Sequence, residues 1–171
     1  MVLNILLLIV LLICLITDLK NRKIYNNVIF PSLLLTFILH FIFDGWSGLG
    51  FSLLGFIVGF SILLIPYFLG GMGAGDVKLL ALIGAIKGMQ FVLITSVYMA
   101  LLGGVIALFV LFFRKGAFQR IKSIFYTMSC FRSGVKLPLF LDKEGLKATY
   151  PYGVAITGGA LLSLFYKGWI L

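Results

Sequence analysis

Residues 49–69 read LGFSLLGFIVGFSILLIPYFL, a stretch without a single charge, and run directly into GGMGAGDVK at 70–78. An apolar stretch of this length is what a helix needs to cross the hydrocarbon core, where lipid offers the backbone no hydrogen-bond partners. The glycine run ends it, and Asp76 then stands at the head of a second apolar stretch, 77–87. Working outward, similar stretches lie at 2–17, 28–43, 91–113 and 151–166. The pattern predicts an all-α fold: a polytopic membrane helical bundle of about six transmembrane helices, the fourth short. At about 1.5 Å per residue, 77–87 covers roughly half the hydrocarbon thickness. Gly55, Gly59, Gly84, Gly88, Gly103 and Gly104 fall inside these stretches. We read them as packing positions, with Gly55 and Gly59 at the four-residue spacing that lets helices approach closely.

Composition agrees. Of 171 residues 62% are hydrophobic and 11% charged, and the mean hydropathy is +1.19. A soluble domain is roughly 45–50% apolar and about 25% charged, so that class is excluded. Six spans use up the length, and residues 1–171 are expected to form a single membrane domain. The first stretch has no basic residues ahead of it and no small-residue cleavage site behind it, so it reads as a retained span.

The net charge of +9 comes from 14 basic residues against five acids. With six spans, Lys20, Arg22, Lys23, Lys78, Arg114, Lys115, Arg120, Lys122, Arg132, Lys136, Lys143 and Lys147 fall on one side, and only Lys87 and Lys167 on the other. Lys and Arg are enriched in cytoplasmic loops, which places that side in the cytoplasm and both termini outside. In the basic segment 114–149, Phe118, Ile121, Ile124, Phe125, Met128 and Phe131 recur at helical spacing. A helix of this kind lies apolar face down on the anionic leaflet of the lipid bilayer. Nucleic acid is not an expected partner, because RNA readers present their aromatics on a soluble platform.

Candidate chemistry narrows to two acids. Asp44, Asp142 and Glu144 fall in loops. Asp18 closes the first span, where the helix dipole disfavours a carboxylate; the competing reading is a solvated loop charge. Asp76 follows the glycine run, and its competing reading is a helix N-cap. Two crossings separate them, so both end on one face of the membrane and can meet. Paired carboxyls cannot both ionise at neutral pH. One then supplies a general base to activate water and the other an acid to polarise a carbonyl, as peptide hydrolysis without a covalent intermediate requires. The glycines before Asp76 allow close approach of an extended substrate.

Other chemistries fail on residue type. GDVK at 75–78 lacks the Gly-Lys-Ser/Thr of a P-loop, and no short strand precedes the glycines as a dinucleotide site needs. The single histidine, His40, lies towards the opposite face and reads as structural. Cys14 and Cys130 are isolated, so neither a disulfide framework nor a metal site is expected, and no cofactor is called for. A small proton-coupled membrane carrier, with the two aspartates as protonation sites, is the alternative from another class. Against it stand the lack of a detectable internal repeat and the placement of both acids at one depth.

These motifs carry a family resemblance. Gly73-Ala74-Gly75-Asp76 matches the GxGD signature of intramembrane aspartyl proteases, and with Lys78 it resembles the GxGDxK form of type IV prepilin peptidases. Asp18, Arg22, Ile24 and Asn26 resemble the family's pattern at the end of the first helix, with Tyr25 where the family usually has Pro. Tyr150-Pro151-Tyr152-Gly153 resembles the opening of its last helix. The resemblance implies an aspartic endopeptidase with Asp18 and Asp76 as catalytic residues, cutting the leader from pilin-like precursors at the cytoplasmic face of the cell membrane. Gly73, Gly75, Lys78 and Arg22 are then substrate-binding or supporting residues. Lys78 either stabilises the ionised member of the pair or reaches to the interface; Arg22 either orients the Asp18 loop or binds lipid phosphate. Lacking the cysteine pairs of larger members, the chain resembles the short peptidase-only form of the tight-adherence pilus type, without N-methyltransferase activity.

Overall fold

The computed structural model describes residues 2–113 and 152–166. Among them are five α-helices: α1 (Val2–Asn21), α2 (Asn26–Phe68), α3 (Ala74–Lys87), α4 (Met89–Phe113) and α5 (Tyr152–Tyr166). The expected all-α class holds. The basic segment 114–149 and its surface helix lie outside the described residues, as do Tyr150, Pro151 and Lys167.

The two stretches expected as spans two and three are two helical arms, labelled together as α2 and parted at Gly45. There the backbone takes φ 62°, ψ −142°, a conformation open to glycine and strained for other residues. Phe41 meets Trp46 edge-on at 5.4 Å, His40 meets Phe51 at 5.8 Å and Phe37 meets Phe56 at 6.2 Å. Residues progressively further before the break thus pair with residues further after it, which makes α2 a hairpin of two antiparallel arms, 26–44 and 46–68.

Three helices are long and apolar enough to cross a membrane: α1, α2 and α4 over Met89–Phe109. With 14 and 15 residues, α3 and α5 extend about 21–23 Å and fall short of a full crossing. The sequence anticipates this for α3; α5, expected as the sixth span, is short as well.

The short α3 is the helix the others enclose. Asp76, Val77 and every residue from Leu79 to Ile86 are buried. A helix apolar on all sides needs neighbours on all sides, and the second arm of α2 comes closest. Its Ser52, Gly55 and Gly59 form a strip of small residues along α3. A Cβ on Gly55 would overlap the Gly84 carbonyl, and one on Gly59 would stand 2.6 Å from the Leu80 oxygen. Ser52 Oγ donates to the Ala85 carbonyl at 2.8 Å. The packing role read for Gly55, Gly59 and Gly84 is the one observed.

On the other side α5 meets α4 through Gly159, where a Cβ would lie 2.8 Å from the Met99 nitrogen, and through Thr95 Oγ1 donating to Ser163 Oγ at 3.1 Å. The interior is apolar with polar groups set into it, and the exterior is apolar as well. Asp18, Thr36, His40, Ser52, Asp76, Thr95, Thr157 and Ser163 are inside, while Leu12, Ile42, Leu54 and Leu101 face outward. An outward apolar surface with polar groups kept within suits lipid as the surrounding solvent.

These contacts belong to one compact unit, residues 1–102 with 149–171; a second, 103–148, is described only over the end of α4.

Candidate active site

Asp18 and Asp76 reach one site by different local routes. Asp18 lies in the last turn of α1, which closes when the Arg22 N–H donates to the Asp18 carbonyl at 2.8 Å. Arg22 takes a positive φ of 50°, turning the chain away from the helix axis towards α2. The Asp18 side chain is 5% exposed, so the solvated-charge reading is overturned.

What receives this carboxyl is the start of α5. The backbone amides of Gly153 and Val154 face it, and the charge of the exposed Arg22 acts on it. A Cβ on Gly153 would stand 2.5 Å from Asp18 Oδ2 and 2.8 Å from Cγ. Only glycine leaves room at that position. The N-terminal end of α5 offers amide protons where α1 alone offers carbonyl oxygens, so the unfavourable dipole expected from α1 is met by a favourable one. Oδ2 is enclosed and without a hydrogen-bond partner among the described residues.

Asp76 is the third residue of α3, not its N-cap. Gly73 holds the cap position, and its N–H donates to Asp76 Oδ2 at 3.2 Å while the Asp76 N–H donates back to the Gly73 carbonyl at 3.1 Å. Asp76 is 8% exposed and lies outside the three helices long enough to cross. Its carboxyl is pushed up to about 6, by burial above all; the Gly73 N–H works against the rise and the negative charge of Asp18 adds to it.

The supporting residues take more definite places than the sequence assigns them. Gly75 packs against the α1–α2 connection, where a Cβ would stand 2.9 Å from Ile24 Cβ. Its missing side chain thus serves an internal contact, rather than the substrate approach read from the glycine run. Gly73 is the cap just described. Lys78 Nζ donates to Asn26 Oδ1 at 2.9 Å and sits 5.2 Å from the centre of the Phe30 ring. Lys78 is thus held by the beginning of α2, through an exposed hydrogen bond. Arg22 follows the last residue of α1, and its N–H closes the final turn on the Asp18 carbonyl. Tyr25, at φ −84° and ψ 132°, occupies an extended position before α2, near the conformation a proline would adopt.

Gly153, Ile24 and Asn26 belong to the site and were not singled out as site residues by the sequence reading. Each stands inside a quoted motif, and a Tyr-Gly pair at the head of an apolar helix was the available signal for Gly153. His40 is at the other end of α3, with Nε2 3.4 Å from the Ile86 carbonyl, about a helix length from Asp76. It caps the end of α3 and has no part in the site. Among the described residues no three His, Cys, Asp or Glu side chains cluster as metal ligands.

The model of the type IV leader peptidase family matches residues 5–108, which include α1, α2, α3 and both aspartates. No curated protein and no solved structure matches the chain. The chain belongs to the type IV leader peptidase family.

Proposed function

We propose that this leader peptidase is a membrane-embedded aspartic endopeptidase that removes the leader from pilin-like precursors at the cytoplasmic face, with Asp18 and Asp76 as its catalytic pair. One observation carries the proposal. In a chain of this family, two carboxyls from separate helices are both buried, and the segments that carry them meet where Gly75 packs against Ile24.

Two buried carboxyls that act on one another titrate as a pair and hold one proton between them until the upper titration is passed. The ionised member takes a proton from water as its oxygen attacks the scissile carbonyl carbon, and the protonated member gives its proton to the carbonyl oxygen. Collapse of the resulting diol returns a proton to the leaving amine and frees the leader as a carboxylic acid. Asp18 Oδ2 is enclosed beside Gly153 and has no hydrogen-bond donor among the described residues. Gly153 keeps the space around it clear, and the Gly73 N–H steadies Asp76. The cytoplasmic position of the site belongs to the same proposal, supported by the distribution of basic residues in the sequence. No feature of the fold and no part of the family match favours the carrier reading.

The test is co-expression with a tagged pilin precursor whose leader ends in Gly, with leader loss read by mass for the parent, Asp18→Asn and Asp76→Asn. The expected result is cleavage by the parent and intact precursor with either variant, both variants still inserting in the membrane. An Asn variant that cuts as well as the parent sinks the pair mechanism, and a parent that leaves several such precursors whole sinks the substrate assignment.

A further inference from the structure

Two contacts join the segment that follows Asp18 to the helix that carries Asp76. Gly75 rests on Ile24, and Lys78 hydrogen-bonds Asn26. Gly75 and Lys78 are three residues apart on α3 and so share a face; Ile24 and Asn26 are the matching positions on the other segment. Only Arg22, Lys23, Ile24 and Tyr25 connect α1 to α2. A segment this short transmits any shift at Asn26 to the last turn of α1, where Asp18 sits.

The direction of Lys78 excludes a direct role at the carboxyls in this arrangement. Residues two apart on an α-helix point about 200° from one another, so Lys78 leaves α3 on the side away from Asp76. Its ammonium group meets a neutral amide oxygen and the face of an aromatic ring. Neither partner cancels its charge, which makes ion pairing a poor account of why a half-buried lysine stands there. A directed, charge-assisted hydrogen bond across 52 positions of sequence does have a mechanical use.

We infer that Asn26 and Lys78 are positioning residues whose hydrogen bond latches the loop after Asp18 onto α3 and thereby sets the separation of the two carboxyls. The inference rests on the peptidase reading for its consequence in catalysis, and its geometry can be tested without that reading. Asn accepts the lysine proton without adding a third carboxylate beside the pair, and the Phe30 face shelters the ammonium on its open side. The Gly75–Ile24 contact is the apolar half of the latch.

In membranes containing a cleavable pilin precursor, Lys78→Met and Asn26→Ala are each expected to lower kcat by about tenfold to a hundredfold, the range for a misplaced catalytic group, with KM within about twofold. Because they break one bond, the double variant loses no more than the worse single, and Lys78→Arg, which keeps a donor, recovers part of the loss. A rise in KM at unchanged kcat overturns the inference, since Lys78 would then hold substrate; losses that multiply in the double variant overturn it as well.

A second measurement is independent of activity. Asp18→Cys and Asp76→Cys are combined in a Cys14→Ser, Cys130→Ser background, and the two thiols are cross-linked with a short bismaleimide. Adding Lys78→Met should reduce the cross-linked fraction several-fold, and an unchanged fraction overturns the latch. If the parent cuts no precursor while the cross-link still falls, the peptidase proposal fails and the latch stands.

Discussion

Replacing Asp76 by Asn should abolish leader cleavage and at the same time make the protein more stable at neutral pH. The carboxyl rises from its ordinary 3.8 to about 6 on folding, chiefly through burial. A group whose folded value lies above its unfolded value binds its proton more tightly in the folded chain. The stability it lends is fully present below pH 3.8 and is lost as pH rises through about 6. Above that, the buried carboxylate costs about 3 kcal/mol, two units at 1.36 kcal/mol each. Asn has nothing to ionise, and its amide oxygen can still accept the Gly73 N–H. Detergent-solubilised parent and Asp76→Asn would be heated at a series of pH values, and the surviving monodisperse fraction read by size exclusion. The expected gap favours Asn by about 3 kcal/mol near pH 8 and closes towards pH 4. A variant that is no more stable than the parent near pH 8, or a gap that does not vary with pH, would refute the claim that Asp76 is held in a desolvating site.

Gly153→Ala puts a methyl group against Asp18 and should cut leader cleavage by about a hundredfold while membrane insertion and expression, read by blotting, persist. Gly55→Ala drives a Cβ into the Gly84 carbonyl and should destabilise by about 1–3 kcal/mol; Gly50→Ala, with nothing within 4 Å of its Cβ, should instead stabilise by roughly 0.5–1 kcal/mol, both read by thermal survival. Cleavage rate should fall as pH rises through the upper titration of the carboxyl pair, because the shared proton is then lost. Asp18→Asn, followed by titrating the remaining acid, should return a lower Asp76 value than the parent's, since the neighbouring charge that adds to its rise is gone.

The all-α class, the apolar stretches and the two aspartates were legible in the sequence because membrane helices need long uncharged runs and an acid among them stands out. The expectation that Asp18 and Asp76 face one side came from counting crossings. The two separate stretches at 28–43 and 49–69 were legible too, but not the positive φ at Gly45 that parts them, since it is a property of the folded backbone.

The roles of the small and basic residues around the site were decided only in three dimensions. A glycine in sequence reports missing bulk, without saying whether substrate, a neighbouring loop or a carboxyl takes the space. At Gly75 the occupant is Ile24, at Gly153 it is Asp18, and at Gly55 it is the backbone of α3. Lys78 reads in the sequence either as an active-site charge or as a lysine reaching to the interface; the helix turns it away from Asp76, to Asn26. Hydrophobic periodicity encodes which residues leave water, and so the sequence alone determined the class of fold and the acids within it. Partners brought together from distant segments depend on how the helices seat against each other, and that only the tertiary structure decided.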